Sequence, residues 1–119
     1  MLIEFLKPDF IFENDTGSLK QLVHDGWKQV NIIVSNAGGV RGRHYHKFNS
    51  EAFYIISGTF KLTVWRGKET EYYELNQGEM FVIPPYVFHT FEYHTDTILV
   101  SLYSNGVELT ETDKDIWIE

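Results

Sequence analysis

The chain has 119 residues, 43% of them hydrophobic and 16% aromatic, with no cysteine and a net charge of −7. That length and apolar content fit one domain spanning residues 1–119 with a core of its own, and exclude a disordered chain. The missing thiols exclude disulfides and sulfur-ligated metals, and the negative charge excludes nucleic acid and anionic lipid surfaces as expected partners.

In chain order, Met1–Phe5 and Asp9–Phe12 are apolar and strand-like, and Ser18–His24 carries a weak helical pattern. Met1–Phe5 lacks the basic start and long apolar stretch of a secretory leader, and no apolar run in the chain approaches the roughly 18 residues of a membrane span. The expected address is cytoplasmic. Gln29–Ser35 is β-branched and apolar, and Ala52–Ile56 is aromatic and apolar. Phe60, Leu62 and Val64 alternate with Lys61, Thr63 and Trp65, a strand periodicity that continues through Glu71–Leu75, Met80–Ile83, His89–Tyr93 and Thr97–Tyr103. Glycine, proline and asparagine punctuate these runs at Gly38-Gly39, Gly58, Gly67, Asn76–Gly78, Pro84-Pro85 and Asn105-Gly106. Many short strands without a long amphipathic helix predict an all-β sandwich or barrel, with its core at about residues 28–105. The acidic tail, with a second weak helical pattern at Thr110–Ile116, ends in Trp117, which is expected to dock on the barrel or on a neighbouring subunit. An exposed edge near Met1–Phe5 and Asp9–Phe12 would be covered by a partner strand, so a homodimer is expected.

The chemistry concentrates in His44, His46, Glu51 and His89. Strand side chains alternate faces at a rise of about 3.3 Å, so His44 and His46 share a face with Cα atoms roughly 7 Å apart. Two imidazoles at that separation can converge on one ion at bonds of about 2.0–2.1 Å. The polar stretch Lys47–Ser50 turns the chain, Glu51 returns a carboxylate, and His89 arrives from a separate strand. Three imidazoles and a carboxylate suit a divalent transition metal such as zinc, manganese, iron or nickel better than calcium or magnesium. His24 and His94 lie outside the pattern and are expected at the surface. Parity puts Phe53 on the face of Glu51, and Phe91 and Tyr93 on that of His89. The ion would then sit in a largely apolar small-molecule pocket, with Phe53 and Phe91 against the substrate. Arg41, Arg43 and Lys47 bracket the histidine pair and are candidate phosphate binders. On a regular strand Arg41 and Arg43 would share the face of Tyr45, but Gly42 permits a bulge that re-aims Arg41.

These residues resemble the two signature motifs of the cupin superfamily. Gly38, His44, His46, Glu51 and Gly58 match the first; Gly78, Pro84 and His89 match the second, with Tyr86 standing where glycine is usual and Tyr93 where asparagine is usual. The resemblance implies a double-stranded β-helix, or jelly-roll barrel, with the metal inside. It also implies that Tyr86 takes another backbone shape than glycine's positive φ. The string Arg41-Gly42-Arg43-His44-Tyr45-His46 is similar to cupins that act on nucleotide sugars: the dTDP-sugar ketoisomerases and epimerases and the C-terminal cupin domain of capsular-polysaccharide enzymes. The ketoisomerases usually carry glutamine in place of Glu51 and need no metal.

Three functions follow as expectations. The first is an isomerase or epimerase of a keto-sugar, with a nucleotide sugar as partner and no general base identifiable from the sequence. The others are a non-haem iron dioxygenase and a non-catalytic cupin that binds or senses a small ligand.

Overall fold

The computed structural model describes residues 1–118, and every regular element in them is a strand. Two five-stranded antiparallel sheets face each other. One takes the order β1 (Glu4–Leu6), β9 (Met80–Ile83), β6 (Glu51–Ser57), β11 (Thr97–Tyr103), β4 (Gln29–Ser35). The other takes β12 (Trp117–Ile118), β5 (Val40–Tyr45), β10 (Phe88–Tyr93), β7 (Thr59–Arg66), β8 (Glu69–Asn76). From β4 to β11 each strand lies in the opposite sheet from its predecessor, except at the β7–β8 hairpin. This is an all-β barrel, as the strand pattern predicted, and of the jelly-roll kind that the motif resemblance implied. At the hairpin, Arg66 pairs with Glu69 across Gly67-Lys68, and Gly67 supplies the positive φ that a tight two-residue turn requires.

Strand parity decides what enters the core. Phe60, Leu62 and Val64 of β7 point inward and are fully buried, while their alternates lie outside. They meet Phe53 and Ile55 of β6, Phe81 and Ile83 of β9, Leu99 of β11 and Phe91 of β10 in one cluster. The Phe53 and Phe81 rings stack at 5.1 Å, and those of Phe60 and Phe91 at 5.1 Å. Leu2 and Ile3 plug the same core, and β1 then lies along β9 of its own barrel. The N-terminal strand therefore covers its own sheet edge.

The two weak helical patterns do not form helices. Gly17–Gln21 is β3, paired with β2 (Phe10–Asn14) in a separate hairpin, and residues 110–116 run as bends around one bridge, Glu108 to Lys114. Neither stretch buries a helical face, so propensity had nothing to pack against. The tail does dock: Trp117 pairs with Tyr45 of β5, and the Lys47 ammonium lies 3.8 Å from the centre of its ring. No helix among the described residues is long and apolar enough to cross a membrane.

Gly58, between β6 and β7, sits at φ 100° where the chain changes sheets. A Cβ there would overlap the Thr97 hydroxyl and the Asp96 carbonyl. Gly58→Ala is expected to lose about 2–4 kcal/mol, since the residue is strained and the backbone it meets cannot retreat. Urea unfolding followed by circular dichroism measures this, and an unchanged midpoint would contradict it.

Candidate metal centre

The site forms where β5 and β10 run side by side. His44 pairs with His89 across the ladder, but the next pair is Gly42 with Thr90, so Arg43 is an extra, unpaired residue. Gly42 at φ 114° and Arg43 at φ 64° absorb the kink. The bulge shifts parity by one. His44 and Arg41 consequently face the same interior, as His89 and Phe91 opposite them do. A Cβ on Gly42 would lie 2.5 Å from the His89 carbonyl, so the approach of the two strands requires glycine.

The imidazoles converge. His44, His46 and His89 each offer a ring nitrogen within 4.8 Å of the others, a grouping that could hold a metal ion. The His44 and His89 Nε2 atoms are 3.2 Å apart. The Glu51 carboxylate lies 3.0 Å from His46 Nε2 and 4.0 Å from His89 Nε2. The far nitrogens are anchored: His46 Nδ1 donates to the Asp115 carbonyl at 2.6 Å, and His89 Nδ1 to that of Val87 at 3.2 Å. Backbone acceptors on Nδ1 fix the rings and turn Nε2 inward, the usual support of a metal-binding histidine. The three imidazoles therefore fit a transition metal, which His44, His46 and His89 would hold, while Glu51 lies beside His46 and His89 and outside that grouping.

The protonation states follow from burial and contacts. Burial, reinforced by the nearby His46 charge, keeps His44 below its ordinary value. Burial brings His89 down to about 3. At His46 burial also acts downward, but its hydrogen bonds to Glu51 and the Asp115 carbonyl outweigh it and raise the pKa. Burial pushes Glu51 up, yet the His46 hydrogen bond and the histidine charges pull it below the usual carboxylate range. The metal-free site thus holds one charged pair, His46 with Glu51, beside two neutral imidazoles. Ser101 Oγ donates to the second Glu51 oxygen at 2.6 Å.

A cavity of about 330 Å³ opens on this cluster. Its walls include Arg41, His44, Glu51, Phe53, His89, Phe91 and Tyr93, together with Ile33 and Tyr103. Arg41 is steadied by its Nε–H, which donates to Ser35 Oγ at 3.0 Å. Two expected substrate contacts lie elsewhere. The bulge turns Arg43 to the outer face, beside Trp65, Thr63 and Thr90, and Lys47 is drawn onto Trp117. His94 pairs with Glu74 at the surface and His24 is exposed, as expected. Tyr86 keeps the positive φ of glycine, at 68°, correcting the expectation that it would not. Its N–H donates to the His46 carbonyl at 2.7 Å, and its ring lies against Tyr45.

Sequence reasoning missed three supports. Ser101 and Tyr103 share the inward parity of Thr97 and Leu99 and were legible in principle. Asp115 gave no local signal. Its buried carboxylate accepts the Lys47 and Phe48 amides, the Asn49 side-chain amide and the Trp117 indole, at 2.7–2.9 Å. It thereby ties the tail to the loop that joins His46 to Glu51.

The cupin domain family matches residues 31–104. This chain belongs to that family. Among curated proteins, the 3-hydroxyanthranilate 3,4-dioxygenases of Burkholderia cenocepacia and Burkholderia lata are each 35% identical to it over 66 residues, 54% of this chain. The matched stretch is 37% and 38% of those proteins, so this chain spans little more than a third of their length. Among solved structures, a sugar 3,4-ketoisomerase from Thermoanaerobacterium thermosaccharolyticum in complex with TDP is 22% identical with a TM-score of 0.79, over 99% of this chain and 88% of that one. A 3,4-ketoisomerase from Helicobacter canadensis is 18% identical with a TM-score of 0.82, over 100% and 92%. The capsular polysaccharide assembling protein CapF from Staphylococcus aureus is 21% identical with a TM-score of 0.69, over 92% and 33%. At these identities the structural likeness is one of fold.

Two outcomes follow. Asp115→Ala leaves buried donors without partners and is expected to cost about 2–4 kcal/mol. The substitution keeps the backbone carbonyl that holds His46 but frees the 47–49 loop from the tail that presents this carbonyl, so transition-metal affinity is expected to fall roughly 10-fold; urea unfolding and chelator competition measure the two effects. The second outcome concerns pH. A folded pKa below the unfolded value means stability lost as pH falls, which holds for His89 and His44 below about 6.5. His46, raised, acts oppositely and offsets one of them. Metal-free protein is therefore expected to be less stable at pH 5 than at pH 7, by about 1–2 kcal/mol. His89→Gln flattens that dependence; equal midpoints at the two pH values in the parent protein would contradict it.

Proposed function

We propose that this cupin is an isomerase or epimerase that moves a proton beside the carbonyl of a keto-sugar bound in the cavity. The observation that carries the reading is the bulge at Arg43, which brings the Arg41 guanidinium into the same cavity as the neutral His44–His89 pair. Such a reaction needs a base at carbon, a group that stabilises the developing oxyanion, and walls that exclude water. His44 is half-buried on the cavity wall and neutral, which suits a proton acceptor. Arg41 is the cation for the oxyanion. Burial raises the phenols of Tyr93 and Tyr103, so both stay protonated; Tyr103 is engaged with Glu51, which leaves Tyr93 to donate a hydrogen bond to the same oxygen. Phe53, Phe91 and Ile33 supply the dry surface.

A cavity of about 330 Å³ suits a sugar ring. With Arg43 and Lys47 turned away, Arg41 is the cation left for an anionic substrate group, so the nucleotide part of a nucleotide sugar would lie at the mouth. The structurally similar ketoisomerases, one of them solved with TDP, support that substrate class. A bound zinc, manganese, iron or nickel ion would polarise the carbonyl as a Lewis acid, but it would take His44, the proposed base, as a ligand, so the proton transfer proposed here belongs to the metal-free site.

A second reading, a non-haem iron dioxygenase, is favoured by the partial match to the 3-hydroxyanthranilate 3,4-dioxygenases and by a histidine–carboxylate donor set.

The test is solvent exchange. TDP-4-keto-6-deoxyglucose is incubated with protein in D₂O, with and without chelator, and followed by proton NMR. Loss of the proton next to the carbonyl is expected, and His44→Asn is expected to slow it at least 100-fold. No exchange in either metal state, together with oxygen uptake by iron-loaded protein on 3-hydroxyanthranilate, would replace this reading with the second. Neither activity would leave a ligand-binding module.

A further inference from the structure

One kink in β5 sends two cations to opposite sides of the sheet. Arg41 enters the cavity, and Arg43 stands on the outer face. There it borders a trough of about 360 Å³, together with Trp65, Thr63, Thr70 and Thr90. A second hollow of about 340 Å³ continues past Arg43 to Ile118. No carboxylate of a described residue lines either one, and no ion pair among the described residues includes Arg43. The acidic side chains further along this face are engaged: Glu92 lies 4.0 Å from Lys61, and Glu74 2.8 Å from His94.

Aromatic rings build the face beside the trough. Trp65 stacks on Phe88 at 5.4 Å, Phe88 meets Tyr45 at 4.3 Å, and Tyr45 meets Tyr86 at 6.1 Å. The row supports one face of the indole, and among the described residues no other ring and no cation covers the opposite face. Two non-glycine residues take positive φ, Arg43 at 64° and Tyr86 at 68°. Both stand on this face, Arg43 beside Trp65 and Tyr86 beside Tyr45. Glycine or asparagine would adopt such a backbone at less cost. The bulge requires an extra residue at position 43 but not a guanidinium, and strain of this kind collects at ligand clamps.

We propose that the trough binds a sugar ring carrying an anionic group, the ring laid on Trp65, the anion on Arg43 and the hydroxyls on Thr63, Thr70 and Thr90. A guanidinium takes a carboxylate or a phosphate through two parallel N–H donors. Threonine hydroxyls both donate and accept, as sugar hydroxyls require. Thr90 Oγ accepts the Arg43 amide at 3.2 Å and keeps its own proton to donate. The indole presents a broad apolar surface to the C–H face of a pyranose. The lining weighs against other occupants. Three hydroxyls around one indole make a poor apolar centre for a protein interface. One guanidinium on a chain of net charge −7 is a poor match for nucleic acid, which engages many phosphates.

The anion has two chemical sources, the carboxylate of a uronic acid in a polysaccharide and the phosphate of a free sugar phosphate. Isotope-labelled protein is titrated with a glucuronic acid oligosaccharide, glucose 1-phosphate, a neutral glucose oligosaccharide and inorganic phosphate, and followed by two-dimensional NMR. One or both acidic sugars are expected to shift the Trp65 indole N–H and the Thr63 and Thr90 amides. The neutral sugar and phosphate alone are expected to bind roughly 10-fold more weakly or worse. A response to the oligosaccharide only would name a polysaccharide as the source, and to the sugar phosphate only, a metabolite. Arg43→Gly keeps the positive φ and removes the guanidinium, and is expected to weaken binding roughly 10–100-fold with an unchanged circular dichroism spectrum. No shift at Trp65 with either acidic sugar would overturn the proposal. Equal binding of the neutral sugar or of phosphate, or full affinity in Arg43→Gly, would do so too. Trp65, Thr63 and Thr90 lie outside the cavity, so the result stands apart from the isomerase reading.

Discussion

One unpaired backbone residue governs the interior of this barrel. Without Arg43 standing out of the β5–β10 ladder, either His44 or Arg41 would have to face solvent, because they lie an odd number of residues apart. With it, the His44 imidazole and the Arg41 guanidinium share one wall. The conformation is locally unfavourable, since a left-handed backbone costs a residue with a Cβ about 1–2 kcal/mol. It persists because the flanking pairs, His44 with His89 and Arg41 with Phe91, are held in register by the rest of the sheet. Gly42 is the residue that lets the two strands approach closely enough for that register to exist.

The site is sealed by a segment far away in sequence. Asp115 gathers four donors from residues 47–49 and 117, and its own carbonyl takes the His46 proton. The tail thereby fixes the loop between two of the four inward-facing groups, while Ser101 and the neighbouring Tyr103 support Glu51 from β11. Among the described residues no buried side-chain polar atom lacks a partner. A buried charged pair is costly to leave half-satisfied, so this network is what allows His46 and Glu51 to remain ionised in an otherwise apolar barrel.

What could be read from the sequence was whatever depends on period and spacing. Apolar runs located β4 and β6, two-residue alternation located β7, β8, β9, β10 and β11, and parity sorted Phe53, Phe91 and Tyr93 to the inside. The same rule would have delivered Ser101 and Tyr103. The bulge was foreseeable as a possibility at Gly42, but its consequence for Arg43 depended on which residue went unpaired, a property of the ladder and not of the string. Lys47 went astray for another reason: its partner, Trp117, is brought beside it only by the tail pairing with β5. Tyr86 shows how tertiary context can hold a non-glycine residue at positive φ, through a hydrogen bond to the His46 carbonyl and an aromatic neighbour. The helical patterns at 18–24 and 110–116 failed because local propensity cannot stand in for a surface to pack on.

Fold alone does not select a reaction, since similar barrels serve as ketoisomerases and the curated relatives are dioxygenases. The inventory of groups in the cavity is more discriminating. If a metal takes all four inward donors, what remains on the walls is a guanidinium, two phenols held protonated and hydrocarbon. Those groups bind and polarise, but none accepts a proton from carbon. If the imidazoles stay free, the same cavity contains a neutral base beside a cation. Metal binding and proton abstraction would therefore compete for the same imidazoles, and metal occupancy is the variable that separates the readings open to this cavity.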